Sequence, residues 1–164
     1  MPENLLILGA GQYGMVVREV AIATGEYEKI DFLDDVNPIA IGAIDTYGDF
    51  MSEYRYAFVA IGNSKVRSEL LSKLENTGYE LPVIISPKAY VSYSATIGGG
   101  SIVEPMAVVN TGATIGRGCL ICAGAVVNHN AVVEDCCQID CNATVSARAN
   151  VSTETKVQSG EIII

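Results

Sequence analysis

The sequence predicts two joined parts: an α/β half-Rossmann lobe over residues 1–84, and an all-β parallel β-helix built from hexapeptide repeats over residues 85–164. Three observations carry this. Every sixth residue from Ile85 to Val157 is Ile or Val. A small residue follows each of the first twelve by four places. Near the start, a Gly-x-Gly-x-x-Gly turn joins a short apolar run to a stretch with helical spacing.

Taking the chain in order, Asn4–Leu8 is apolar and stops at Gly9, which predicts a buried strand. The turn Gly9-Ala10-Gly11-Gln12-Tyr13-Gly14 follows. A helix is predicted over Tyr13–Thr24, with Met15, Val16, Val20 and Ala23 on its apolar face and Gly25 as its stop. Lys29–Leu33 reads as a second strand, running into Asp34-Asp35. Ile39–Ile44 predicts a short strand, followed by a loop around Asp45–Tyr54. Tyr56–Ile61 predicts a strand, and Gly62-Asn63-Ser64 a turn that caps a helix over Lys65–Asn76. The expected buried face of that helix is Val66, Leu70, Leu71 and Leu74, and Gly78 ends it. Leu81–Ile84 is the last predicted strand. Strands alternating with helices imply a parallel sheet with crossovers. Ligands bind such sheets at the carboxyl ends of the strands. Here those ends carry Gly9–Gly14, Asp34-Asp35 and Gly62-Asn63.

From Ile85 onward the period is six. The Ile/Val positions are Ile85, Val91, Ile97, Val103, Val109, Ile115, Ile121, Val127, Val133, Ile139, Val145, Val151 and Val157. The small partners are Ala89, Ala95, Ser101, Ala107, Ala113, Cys119, Ala125, Ala131, Cys137, Ala143, Ala149 and Thr155. Six is neither the helical period of 3.6 nor simple alternation, and it marks a parallel β-helix. Each hexad makes one short strand and one turn, and three hexads close a triangular coil. The β-branched residue points inward and the small residue fits the corner. Successive coils pair at about 4.8 Å. Burying each Val or Ile is worth roughly 1.5–3 kcal/mol before conformational entropy is set against it. A sandwich of alternating strands would not hold one phase so long.

The net charge of −9 argues against nucleic acid and anionic membranes as partners. The mean hydropathy of +0.32 comes from the hexads, and no apolar run is long enough to span a bilayer. The start, Met1-Pro2-Glu3-Asn4, has no basic region of the kind a secretory leader carries. The cysteines fall at 119, 122, 136, 137 and 141. Cys119 and Cys137 take the small corner position, and Cys122, Cys136 and Cys141 fall in three other hexad phases. The expectation is therefore packing with no metal site, in a reducing cytoplasm.

The glycine turn lies between a strand and a helix, with an acid at the end of the next strand. That context is what a phosphate-binding turn requires: glycines admit backbone N–H groups to the phosphate, and a helix N-terminus favours its charge. Asp34 lies at the spacing of an NAD ribose ligand. However, about eighty-four residues supply only one mononucleotide half. A mononucleotide or nucleotide sugar suits the length better than NAD. The plain alternative is a tight turn in a docking lobe.

A glycine-turn half-Rossmann joined directly to a hexapeptide β-helix resembles the sugar O-/N-acyltransferases of the sialic acid O-acetyltransferase family, of the type that N-acetylates UDP-4-amino-sugars. Gly9–Gly14, Phe32-Leu33-Asp34-Asp35, Ala60-Ile61-Gly62-Asn63 with Arg67, Ser86-Pro87 and Val127-Asn128-His129 carry the resemblance. It implies a left-handed β-helix, a homotrimer with sites between subunits, and acetyl-CoA as cosubstrate. It assigns nucleotide-sugar binding to Gly11, Gln12, Tyr13, Asp34, Asp35 and Gly62. His129 becomes the general base with Asn130 as its neighbour, and Gln138 and Asn142 in the later coils are assigned to the cofactor. No covalent acyl-enzyme is implied, so Cys122 is packing.

The chain departs from the family pattern in three places. Asn130 replaces the usual acid after the histidine; an amide hydrogen-bonds but brings no charge to stabilise imidazolium. Gln138 stands where relatives often carry a second histidine. The chain stops at Ile164, where relatives commonly continue with further coils and a Gly-Val-Pro-type tail. The expected activity is direct acetyl transfer to a nucleotide-linked amino sugar. The alternative is a weak or inactive trimeric scaffold that binds a nucleotide sugar.

Overall fold

The computed structural model describes residues 3–164; the first two residues, part of the start discussed above, lie outside them. Two compact units divide the chain, one ending at Pro82 and the other running from Val83 to Ile164.

In the first unit, β1 (Asn4–Leu8) lies between β2 (Lys29–Leu33) and β3 (Tyr56–Val59), all parallel. All five β1 residues are buried, as a central strand covered on both faces requires. Helix α1 spans Gln12–Thr24 and α2 spans Ser64–Thr77, and both end on a left-handed glycine, Gly25 and Gly78. Asn63 caps α2, its Oδ1 accepting from Val66 N at 3.1 Å.

Several elements differ from expectation. The buried face of α1 is Gly14, Val17, Val20 and Ala21, not the Met15, Val16, Val20, Ala23 stripe. The reason is the close approach of Gly14 to the glycine turn, which turns Val16 outward. On α2, Arg67 is buried in place of Val66, which is 41% exposed. The Asn63 cap sets that phase, and the guanidinium finds backbone acceptors. Ile39–Ile44 is not a strand. Ile41 N reaches Phe32 O and Asp34 N reaches Gly42 O, but the chain then turns into a 3₁₀ helix over Ile44–Phe50. Ile61 lies outside β3. Leu81–Ile84 is not a strand of this sheet: the ladder stops at a bridge from Glu80 to Tyr56, because Pro82 has no N–H to continue it, and Ile84 instead begins the first strand of the second unit.

The second unit is the three-sided coil the hexads predict. The first face stacks Ile84–Ile85, Ile102–Val103, Leu120–Ile121, Gln138–Ile139 and Lys156–Val157. The second stacks Tyr90–Val91, Val108–Val109, Val126–Val127, Thr144–Val145 and Ile162–Ile163. The third stacks Thr96–Ile97, Thr114–Ile115, Val132–Val133 and Asn150–Val151. Each strand pairs in parallel with the strand eighteen residues on, as Ile121 with Ile139. The inward column is buried from Val103 to Val157, and Ile163 extends it one hexad further than the expected end. Ile85, in the first coil, is instead 37% exposed, since no coil lies beneath it.

The turns share a feature the repeat does not reveal. From Gly100 to Gly160, every sixth residue has positive φ, including Asn130 at 55°, Asn142 at 56° and Arg148 at 65°. A short corner requires this left-handed residue, which Gly and Asn adopt most readily.

Ile121 is fully buried, between Val103 below and Ile139 above. Ile121→Ala is expected to destabilise the β-helix by about 2–5 kcal/mol, as a cavity that stacked coils cannot collapse around. Urea denaturation measures it, and a loss under about 1 kcal/mol would contradict rigid stacking.

Candidate active site

In the first unit the sites named from sequence gather at the carboxyl ends of the strands. The three glycines of the turn do different things. Gly9 has φ of 103° and donates its N–H to Leu33 O at 2.8 Å. A Cβ on Gly14 would be driven into the Gly9 carbonyl oxygen. Gly11, the N-cap of α1, faces open space, and no side chain caps that helix end. So Gly9 and Gly14 build the turn, and Gly11 leaves room for a ligand to approach backbone N–H groups. Gln12 is exposed and Tyr13 half-buried, at the start of the helix.

Asp34 is engaged by the protein's own backbone. Its Oδ2 accepts from Ala10 N at 2.8 Å, and its Oδ1 accepts from Val36 N at 2.9 Å and Asn37 N at 2.8 Å. Those bonds, Ala10's first, hold its carboxyl below the usual carboxylate range. Asn37 completes the clamp by donating Nδ2–H to Ala10 O at 2.7 Å. Asp34 thus shapes the glycine turn. Asn37, which carries no motif in the sequence, is its partner. Asp35 remains at the surface, accepting from Ile44 N at 3.0 Å. It lines a cleft of about 480 Å³ between the 3₁₀ helix and α2, with Ile44, Asp45, Tyr47, Leu70 and Lys73. Gly62 also faces open space. Its carbonyl and that of Ile61 accept from the buried Arg67 guanidinium at 3.1 and 2.7 Å. Arg67 therefore holds the turn that ends β3.

In the second unit, His129 is exposed on the turn between the second and third faces. Its N–H donates to Asn128 Oδ1 at 2.7 Å, and its carbonyl accepts from Arg148 N at 3.2 Å. Asn110, one coil below, donates Nδ2–H to the same Asn128 Oδ1 at 3.3 Å. The Asn130 amide lies 3.4 Å from His129 Nδ1. Asn130 also folds over Gly112 of the coil below, where any Cβ would strike its Oδ1. Asn142 does the same over Gly124 at the corner between the first and second faces. Gln138 is half-buried on the first face. Within one chain, then, His129 and Asn130 stand together, while Gln138 and Asn142 lie on a different face and corner.

The cysteines are free thiols, four of them buried. Cys119 and Cys137 stack at one corner and donate to Glu134 O and Ser152 O, each at 3.0 Å. Burial pushes the Cys122 thiol up, away from the thiolate a nucleophile needs. Among the described residues no group of three His, Cys, Asp or Glu side chains could hold a metal ion, and no helix is long and apolar enough to cross a membrane.

Comparison with known proteins agrees with both units. The profile of the PglD N-terminal domain matches residues 4–74. UDP-N-acetylbacillosamine N-acetyltransferase of Bacillus subtilis is 30% identical over 110 residues, 62% of this chain and 51% of that protein, so the match spans about half of the relative's length. The acetyltransferase domain of PglB from Neisseria gonorrhoeae, solved in complex with acetyl coenzyme A, is 33% identical, with a TM-score of 0.93 over 99% of this chain and 82% of that one. A variant of perosamine N-acetyltransferase from Caulobacter crescentus, in complex with CoA and GDP-perosamine, shares the fold at 24% identity, with a TM-score of 0.83 over 98% of this chain and 88% of that one. The α/β unit followed by this parallel solenoid is the left-handed β-helix acetyltransferase fold. Matched along nearly its whole length at one-third identity, the chain belongs to the hexapeptide-repeat sugar acyltransferases of the sialic acid O-acetyltransferase family.

Proposed function

We propose that this chain transfers the acetyl group of acetyl-CoA to the amine of a nucleotide-linked sugar, with His129 as general base. The observation that carries it is a single exposed imidazole on a β-helix corner, in a fold whose one-third-identical relative was solved with acetyl coenzyme A. The 1–84 lobe would hold the nucleotide sugar by the open backbone at Gly11–Tyr13, with Asp35 and Gly62 beside it. Asp34 would act from behind, by holding the turn. The 85–164 lobe would hold acetyl-CoA, with Gln138 and Asn142 among its contacts.

In the reaction, the amine lone pair attacks the thioester carbonyl and His129 takes the proton the nitrogen sheds. The tetrahedral intermediate then collapses, the C–S bond breaks, and the imidazolium returns the proton to the leaving thiolate. The Nδ2 end of Asn130 lies 3.4 Å from His129 Nδ1, and an amide flip would put Oδ1 there instead. With Oδ1 toward the ring, Asn130 accepts Nδ1–H and leaves Nε2 bare to receive the substrate proton. Positioning of the two substrates contributes as well.

A homotrimer with sites between subunits fits the placement of the site residues. His129 lies on one corner, and Gln138 and Asn142 on another face and corner, so a shared groove would let two copies supply them. The free thiols suit the cytoplasm.

Calorimetry with acetyl-CoA, followed by a thiol-release assay with a UDP-4-amino-sugar, tests the reading. Binding and CoA release are expected. No acetyl-CoA binding would favour the scaffold alternative, which the uncharged Asn130 otherwise suits.

A further inference from the structure

The charges of the β-helix are segregated by corner. Its side-chain carboxylates are Glu104, Asp140 and Glu161 at the corner between the first and second faces, and Glu134, Asp135 and Glu154 at the corner between the third and first. Among the described residues the remaining corner, which carries His129, has none. From the first coil upward it reads Ser92-Tyr93-Ser94, Asn110-Thr111-Gly112, Asn128-His129-Asn130 and Ser146-Ala147-Arg148. In a chain of net charge −9, one edge of the prism bears no side-chain carboxylate and is lined mostly by hydroxyl and amide groups.

That edge also holds the one cation of the unit placed near the imidazole. Lys88 and Arg117 stand at the other two corners, and Lys156 lies on the first face, 3.4 Å from Asp140. Arg148 is exposed, has no ion-pair partner among the described residues, and sits one coil above His129, joined to it through its N–H. One coil is about 4.8 Å, and an arginine side chain reaches further than that. Its planar guanidinium suits bidentate contact with a phosphoryl group.

We propose that this corner is an anion track and that Arg148 anchors a phosphoryl group of the substrate that reacts at His129. This rests on the acetyltransferase reading, in which both substrates carry phosphate.

The test is calorimetric titration of the full chain with CoA and, separately, with UDP. Arg148→Gly removes the cation while suiting a φ of 65°, so folding is retained. Its affinity for one probe is expected to fall about tenfold, with Arg148→Lys recovering part of the loss. The probe that weakens names the source of the phosphate. A change below about twofold for both probes overturns the proposal. If the wild-type chain binds neither probe, the acetyltransferase reading fails and takes this inference with it. If His129→Ala stays active while Arg148→Gly still weakens binding, the base assignment fails and the anion track stands.

Discussion

His129→Ala is expected to slow acetyl transfer by about 10²- to 10⁴-fold, with acetyl-CoA affinity little changed. The substitution falls on an exposed turn residue whose backbone bonds, to Asn128 Oδ1 and from Arg148 N, need no imidazole. The fold should therefore survive, and the loss should appear in kcat. A stopped-time assay of CoA release at saturating substrate reads it directly. Full activity in the variant would remove His129 from the mechanism. The expected loss is bounded, because positioning of donor and acceptor does not depend on the base.

Gly14→Ala is expected to abolish nucleotide-sugar binding through geometry alone. The new Cβ meets the carbonyl oxygen of Gly9, which is backbone and cannot rotate away. Gly9 in turn is pinned by Leu33 O, and a side chain there would press on Ala60 O. Either α1 lifts from the sheet or the turn opens, and both displace the N–H groups at Gly11–Tyr13. Overpacking of this kind costs about 1–3 kcal/mol of stability. Titration with UDP, alongside a melting curve, measures both effects; unchanged UDP affinity would show that the turn is not the ligand cradle.

The two substitutions probe parts of the chain that differ in how readily sequence exposes them. The β-helix was legible because its signal is a single repeated constraint. An inward Val or Ile every six residues is needed at each coil, so the pattern repeats along the unit. The half-Rossmann order of strand, turn, helix and strand was legible from Leu5 to Leu33 for a similar reason. Its glycines answer local steric demands.

Other features were not legible, since contacts between distant residues decide them. Asp34 has the spacing of a ribose ligand, yet its carboxylate is taken by Ala10, Val36 and Asn37. Nothing in the pattern marks Asn37 as the other half of that clamp. Val66 fits the apolar stripe of its helix better than Arg67 does. Arg67 is nevertheless the buried one, because the Ile61 and Gly62 carbonyls need a donor. Ile39–Ile44 has strand composition but lies at a sheet edge where two backbone bonds form before the chain turns away.

By itself the sequence determined the two-part architecture and the hexad register, since both follow from residue type at fixed local spacing; the candidate base at His129 came only through the family resemblance. Only the tertiary structure decided that Asp34 serves the turn, that Asn130 is bent over Gly112 in a left-handed corner, and that the corner of His129 bears no side-chain carboxylate among the described residues. Those depend on what lies eighteen residues away along the chain, or across a sheet. A coil brings such residues within about 5 Å, while the linear sequence leaves them apart.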